Sequence, residues 1–327
     1  MKLNFLGDVY LDDIYKIDFE LNDYIFNLEY PLSTKGIPAK GKVNLGVDRK
    51  ECIIKTFGKN PVAVNLANNH IMDYGEKSFN ETIQFLDTEN IQYFGAGTKS
   101  NNFNNPLIIN FNEKRIALFA YCCQSTSPII GEVSTNGAAP IDINLIENDL
   151  AETIDVDFKI VNLHWGDEEI KYPKPSDIIK AEKIIDLGAD LIIGHHSHVI
   201  QSIKKYKEKD IFFGIGNFLF PDLNEPSNFD GEKFNDKYIK KQSENNKYSI
   251  MLELEENFNI KKLITKFNKD TVIISKKQLF NYKLIKNKKI YDSYVKYTKK
   301  KGTIIRFLKK PKIPTLSQIK IFLGLNK

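Results

Sequence analysis

Cysteine is scarce in this 327-residue chain. The three present, Cys52, Cys122 and Cys123, form no C-x-x-C and no paired framework. That argues against a disulfide scaffold and fits a reducing compartment. No window approaches 18 uncharged apolar residues, so no membrane-spanning helix is expected. The first residues enter an apolar run, Leu3–Leu6, without a basic segment and a long apolar stretch, so no signal peptide is expected either. There are only three arginines, and nothing places Arg49 or Arg115 near a site, so both are read as surface. Gly95-Ala96-Gly97 is too short for a phosphate loop and reads as a turn at a sheet edge. There is no internal repeat.

What is present begins with charge. The net +5 hides an asymmetry. Residues 261–327 hold 20 of the 47 Lys+Arg and 2 of the 42 Asp+Glu, a net of +18, which leaves −13 for residues 1–260. The expected organisation is therefore a catalytic-type domain over 1–260 and a basic C-terminal appendage over 261–327. Such an appendage suits anionic lipid, an acidic partner or plain solvation. Nucleic acid is not expected, because no aromatic residues interleave as a stacking platform and no binding motif is recognised. Thr303–Leu325 mixes apolar residues with lysines, but Pro311 and Pro314 interrupt it as an amphipathic helix.

Through residue 220, short apolar runs alternate with amphipathic stretches, the habit of an α/β sheet. Strands are expected at Lys2–Leu6, Tyr24–Leu28, 61–66, Ile91–Phe94, Phe158–Leu163, Leu191–Ile193 and Ile211–Ile215. Leu107–Phe111 and Arg115–Tyr121 read as a hairpin, as do Tyr248–Leu254 and Ile260–Phe267. Helices are expected at Asp48–Phe57, Glu76–Glu89 and Ile143–Ile154, and from an N-cap at Ser176 to Leu187, with Ile178, Ile179, Ala181, Ile184 and Ile185 inward. Residues 222–247 are polar and read as a long excursion or mobile loop.

All five histidines, His70, His164, His195, His196 and His198, follow apolar strand runs. Histidine is the commonest metal ligand and moves protons near neutral pH. The same strand ends deliver Asp8, Glu29, Asn69 and Asp73. In open α/β sheets, ligands bind beyond the carboxyl ends of the strands. Asp8, Glu29, Asn69, His164, His196 and His198 would meet on one rim if their runs share a sheet. Imidazole and carboxylate without thiolate suit Mn, Fe, Zn, Co or Ni. Six donors exceed the need of one tetrahedral ion, so one or two divalent ions fit, two being the arrangement that serves phosphoryl or related ester transfer.

Five motifs stand beside the stretch Asn65–Gly75 in one order. They are Gly7-Asp8-Val9-Tyr10-Leu11, Asn27-Leu28-Glu29-Tyr30-Pro31-Leu32, His164-Trp165-Gly166-Asp167-Glu168, Gly188-Ala189-Asp190 leading to Gly194-His195-His196-Ser197-His198-Val199, and Gly214-Ile215-Gly216-Asn217-Phe218. Over roughly residues 1–260 the chain resembles the bacterial capsule-synthesis and poly-γ-glutamate-synthesis proteins of the CapA/PgsA type. Their fold is similar to that of calcineurin-like metallophosphoesterases.

The resemblance implies that Asp8 and His198 hold a first metal, that Glu29 bridges, and that Asn69, His164 and His196 hold a second. It implies that His70 protonates a leaving group or steadies a phosphate, with Asp73 orienting it. His195 matches a variable position and is read as a neighbour. Asn65 and Asn68 are read as loop scaffold, Asn217 as a rim residue and Trp165 as packing. The chain departs from the pattern at Tyr10, where phosphoesterases place a ligand histidine. It departs again at Ser197, where the family usually has proline, and at Glu169, which replaces an aromatic. Members usually carry an N-terminal anchor, which this sequence does not show.

The expectation is an α-β-β-α sandwich of two mixed sheets with the basic appendage. Its expected function is a metal-dependent hydrolase of phosphoesterase type in capsule or other surface-polymer biosynthesis, or an assembly factor that keeps the site for binding. The expected partners are an anionic or polymer-derived substrate and, through the basic C-terminus, a membrane surface or a polymer-synthesis complex. The expected location is the cytoplasm or the inner membrane face.

Overall fold

All seven residues of strand Leu3–Val9 are buried, which suits a strand covered on both faces. In the computed structural model this strand is central to a nine-stranded mixed sheet. The structure describes residues 2–279 and 281–309, with side chains as far as Gly302. Strand Asp23–Leu28 pairs parallel with Leu3–Val9, Ala63–Asn65 parallel with Asp23–Leu28, and Gln92–Phe94 parallel with Ala63–Asn65. On its other side Leu3–Val9 has two successive neighbours. Tyr248–Leu254 runs antiparallel beside Leu3–Phe5. Farther along, Asn217–Leu219 runs parallel beside Asp8 and Val9, with a register shift between those two. Gly7 permits the change: a Cβ there would lie 1.9 Å from the Gly216 carbonyl oxygen.

The second sheet has six strands. Its parallel centre is Lys114–Cys122, Phe158–His164, Leu191–His195 and Lys209–Phe212, closed by antiparallel Leu107–Phe111 and Ile203–Tyr206. Alternation assigns its faces. Ile116, Leu118, Ala120, Ile160, Leu191 and Ile193 join one core with Leu3, Phe5, Ile25 and Leu252 of the larger sheet. The intervening Ala117, Phe119, Val161, Leu163 and Ile192 pack with Ile146, Leu150, Ile178 and Ile184 of helices Ile143–Glu152 and Pro175–Asp186. Across the larger sheet, helix Cys52–Phe57 stacks Phe57 on Tyr24 and Phe26, and helix Gly75–Thr88 buries Phe79 and Leu86. The layers are helix, sheet, sheet, helix, as expected.

Several expectations need correction. Residues 222–247 are not a loop: Leu223–Phe229 and Phe234–Lys240 form a hairpin, followed by a short 3-10 turn. The expected strand Ile211–Ile215 ends at Phe212, and the chain then crosses to the larger sheet as Asn217–Leu219. Ser176 does not cap its helix, because Lys174 is the N-cap and Pro175 opens the first turn, where a missing N–H costs nothing. Ile179 is 69% exposed.

The proposed boundary near 260 falls inside the larger sheet. Ile260–Asn268 pairs with Tyr248–Leu254, and Thr271–Ile274 pairs with Ile260–Asn268 and with Lys16–Ile17. The chain then crosses to the second sheet, where the Asn281 side chain bonds both backbone groups of Ile203. Helix Lys288–Lys309 follows. Residues through Pro311 and Pro314 lie outside the described part. Among the described residues no helix is long and apolar enough to cross a membrane.

Candidate metal centre

Strand register builds the site in two rows. In the larger sheet Asn217, which opens its strand, flanks Asp8, and Asp8, Asn27 and Asn65 lie side by side at the carboxyl ends of theirs. In the second sheet Cys122, His164 and His195 do the same. The six expected ligands therefore come from the ends of two facing sheets, not from one rim, and they converge.

Asp8 and Glu29 are fully buried, and the Asn27 amide reaches both, at 2.9 Å and 3.3 Å. His164 Nε2 lies 2.7 Å from Asn69 Oδ1 and 3.8 Å from Glu29 Oε1. His198 Nε2 lies 3.5 Å from the same Glu29 oxygen, and its Nδ1 lies 3.4 Å from Asp8 Oδ2 and 2.8 Å from Asn217 Oδ1. The His164 and His196 rings stand 4.7 Å apart. Glu29, His164 and His196 offer ligand atoms within 4.8 Å of one another, and so do Asp8, Glu29 and His198.

Backbone geometry aims the last two rings. His196 and His198 have φ of +77° and +54°. This left-handed region costs a non-glycine residue about 1–3 kcal/mol and concentrates at functional sites. The Ser197 hydroxyl steadies the loop by donating to the Val199 carbonyl at 2.9 Å.

Burial and neighbouring charge divide the protons unequally. Burial works against the Asp8 carboxylate, but His195 and His198 outweigh it and hold Asp8 well below the usual range. Burial, with the charge of Asp8, pushes Glu29 well above it. Burial holds His164 well below the ordinary histidine value and pushes His196 down to about 3. Burial opposes the charge of His198 as well, yet Glu29 and Asp8 raise it to about 9. Two carboxyls and three imidazoles thus crowd one buried pocket. A cation takes deprotonated donors, so its binding would expel any proton they hold.

The donor set fits a divalent transition ion. It is nitrogen and oxygen without sulfur. Glu29 Oε1, His164 Nδ1 and His196 Nδ1 are buried without a hydrogen-bond partner, an expense a protein seldom leaves unmet.

The scaffold residues do as expected. Asn68 donates to the Leu28 carbonyl at 2.8 Å and accepts from the amides of His70 and Ile71. Asn65 accepts from the Ala67 amide. Trp165 is buried against Phe213 and donates to its carbonyl at 2.9 Å. His195 is a neighbour that touches the centre, with Nδ1 3.0 Å from Asp8 Oδ1.

His70 Nδ1 meets Asp73 Oδ2 at 2.6 Å. Asp73 also accepts from the Leu45 amide and pairs with Lys42 Nζ at 2.6 Å. Burial, reinforced by Lys42, holds His70 below its ordinary value, so the resting ring is neutral.

Sequence reasoning missed Lys42 and Lys240 and gave Glu168 no role. With His70, His198 and Leu45 they line a cavity of about 270 Å³ over the centre. Lys42 and Lys240 arrive from segments without helical or strand-core periodicity, so no pattern signalled them. A broader groove between Asp87–Tyr93 and Asn101–Leu107 has no histidine in its lining.

The family described as "Bacterial capsule synthesis protein PGA_cap" matches residues 2–222. The chain belongs to that family. Among curated relatives, the "Capsule biosynthesis protein CapA" of Bacillus anthracis is 32% identical over 208 residues, covering 61% of this chain and 51% of its own. The "PGA biosynthesis protein CapA" of Bacillus subtilis (strain 168) is 29% identical, covering 62% and 54%. A "Probable polyglutamine synthesis accessory protein" of Mycobacterium tuberculosis is 27% identical, covering 49% and 45%. The chain thus spans about half the length of the curated relatives it matches. Among solved structures, a hypothetical protein from Thermus thermophilus is 12% identical with a TM-score of 0.46, covering 84% of this chain and 99% of that one. A putative 5'-nucleotidase from Staphylococcus aureus is 11% identical with a TM-score of 0.44, covering 86% and 56%.

Proposed function

We propose that the protein is a metal-dependent hydrolase of phosphoesterase type serving the synthesis or remodelling of a capsule or other surface polymer, polysaccharide or poly-γ-glutamate. The observation that carries this reading is the convergence of Asp8, Glu29, Asn69, His164, His196 and His198 around unpartnered buried nitrogen and oxygen donors. These six would hold one or two divalent ions, which supply Lewis-acid polarisation of the ester when bound. Beside them, Asp73 fixes His70 through Nδ1, leaving Nε2 as the ring nitrogen that exchanges a proton with substrate. Lys42 anchors Asp73 and lines, with His70 and His198, the cavity of about 270 Å³ that a substrate would enter. The capsule and PGA biosynthesis roles named for the relatives support the polymer context.

A second reading is an assembly factor of a polymer-synthesis complex that keeps the ion for structure. The accessory role named for the mycobacterial relative favours it, as does Tyr10 in place of a ligand histidine. Metal analysis of the purified protein, with hydrolysis of bis(p-nitrophenyl) phosphate, separates the two. The hydrolase reading expects bound transition metal and turnover, both lost in His196→Ala. Metal without turnover favours the assembly factor. No bound metal, and no effect of His196→Ala, sinks both. Sedimentation with anionic liposomes, with and without residues 276–327, tests the membrane surface as partner.

A further inference from the structure

Glu168 is not among the six ligands, yet one of its carboxylate oxygens and a ring nitrogen each of His196 and His198 lie within 4.8 Å of one another. Its side chain is 47% exposed, whereas both rings are buried, so it stands on the solvent side of the centre. His196 Nδ1, inside, has no partner. The Glu169 amide donates to the Ser197 carbonyl at 2.8 Å, which ties the glutamate loop to the histidine loop.

The donor count also leaves room. Tyr10 stands where a ligand histidine was implied, but it is no substitute. Its hydroxyl donates to Glu225 Oε1 of the hairpin at 2.7 Å.

The same carboxylate has a second partner. Lys240, at the end of the hairpin, puts Nζ 3.4 Å from Glu168 Oε2 and 3.2 Å from Glu169 Oε1. One ammonium needs only one of these carboxylates as counter-charge. Glu169, with φ of +63°, can keep Lys240 paired while Glu168 turns inward.

We propose that Glu168 is a ligand for a divalent transition ion on the open side of the centre and that it is shared with Lys240 of the hairpin Leu223–Lys240, an inference that rests on the metal-centre reading above. Ion binding draws Glu168 from Lys240 and leaves Glu169 as the counter-charge of Lys240. The hairpin that roofs the cavity is thereby coupled to ion occupancy.

Calorimetric titration of the metal-stripped full chain with Mn²⁺ tests this without any substrate. Glu168→Gln is expected to weaken Mn²⁺ binding by about tenfold or more, since even outer-sphere partners of a metal carry about 10–100-fold. Lys240→Met removes the competitor and is expected to tighten binding several-fold. The double variant is expected to show no such gain over Glu168→Gln. Equal Mn²⁺ affinity in wild type and Glu168→Gln, or in wild type and Lys240→Met, overturns the proposal. If the wild type itself binds no Mn²⁺, the metal-centre reading falls first.

Discussion

Asp73 holds three donors at once, and this makes His70 a positioned group and not merely a nearby one. The Leu45 amide and His70 Nδ1 share one oxygen, and Lys42 takes the other. The imidazole can neither rotate nor change tautomer without breaking that set. His70→Asn should therefore lower phosphodiester turnover by about 10²–10⁴-fold, the range for a lost proton-transfer group, and leave metal content unchanged. A rate close to wild type, read from bis(p-nitrophenyl) phosphate hydrolysis, would remove His70 from the chemistry. The His70–Asp73 pair was anticipated through the family resemblance, which implied that Asp73 orients His70. Lys42 was not: it sits in irregular chain between Gly36 and Val47, where no periodicity says which way a side chain points.

Elements fix where these groups stand, and some tolerate no change. In Gly7→Ala the new methyl would meet the Gly216 carbonyl oxygen at 1.9 Å. It would push apart the strands that pair Asp8 with Asn217. The expected cost is about 1–3 kcal/mol in urea denaturation, with weaker Mn²⁺ binding. Helix Pro175–Asp186 carries a different strain. Asp177 is 3% exposed, and burial pushes its carboxyl up to about 6, against Lys174 and Lys180, which pull it down. The unfolded value is about 3.9. The folded state thus prefers the protonated form. That preference is whole below about pH 4 and is lost as pH rises through about 6, a swing on the order of 3 kcal/mol. Asp177→Asn should flatten this dependence and be the more stable protein at pH 7.5. Equal melting curves for the two proteins across pH 4.5–7.5 would refute it. Periodicity made most central strands and helices legible. It could not show the hairpin Leu223–Lys240, whose strands bury only Leu223, Ser227 and Phe229 and so carry almost no apolar alternation. Nor could it tell that five apolar residues in one helix exceed its buried face, leaving Ile179 in water.

At the scale of the molecule, composition misled where pairing decides. Lysine content rises near residue 260, but Ile260–Asn268 is a strand whose Lys261 and Lys262 stand exposed while Ile264, Thr265 and Phe267 are buried. A chain ending at Asn259 loses two strands and uncovers Tyr248–Leu254, so it should aggregate. A chain ending at Ser275 keeps the whole larger sheet and should remain soluble and cooperative in thermal unfolding. The opposite ranking would contradict the pairing described. The chain ending at Ser275 still loses the Asn281–Ile203 bonds and the Tyr291 hydroxyl donated to Asp167 at 2.8 Å, so the loop before Glu168 should exchange amide hydrogens faster. The forked neighbourhood of Leu3–Val9 also bears on time. During synthesis Asp8 leaves the ribosome early, while the residues that fix it, His195, His196 and Asn217, follow long after. Contacts this distant in sequence form late. Asp8 and Glu29 must then wait in solvent through most of translation, and any ion they come to hold would load as a finishing event, open to whichever metal the cell supplies when the last strands close.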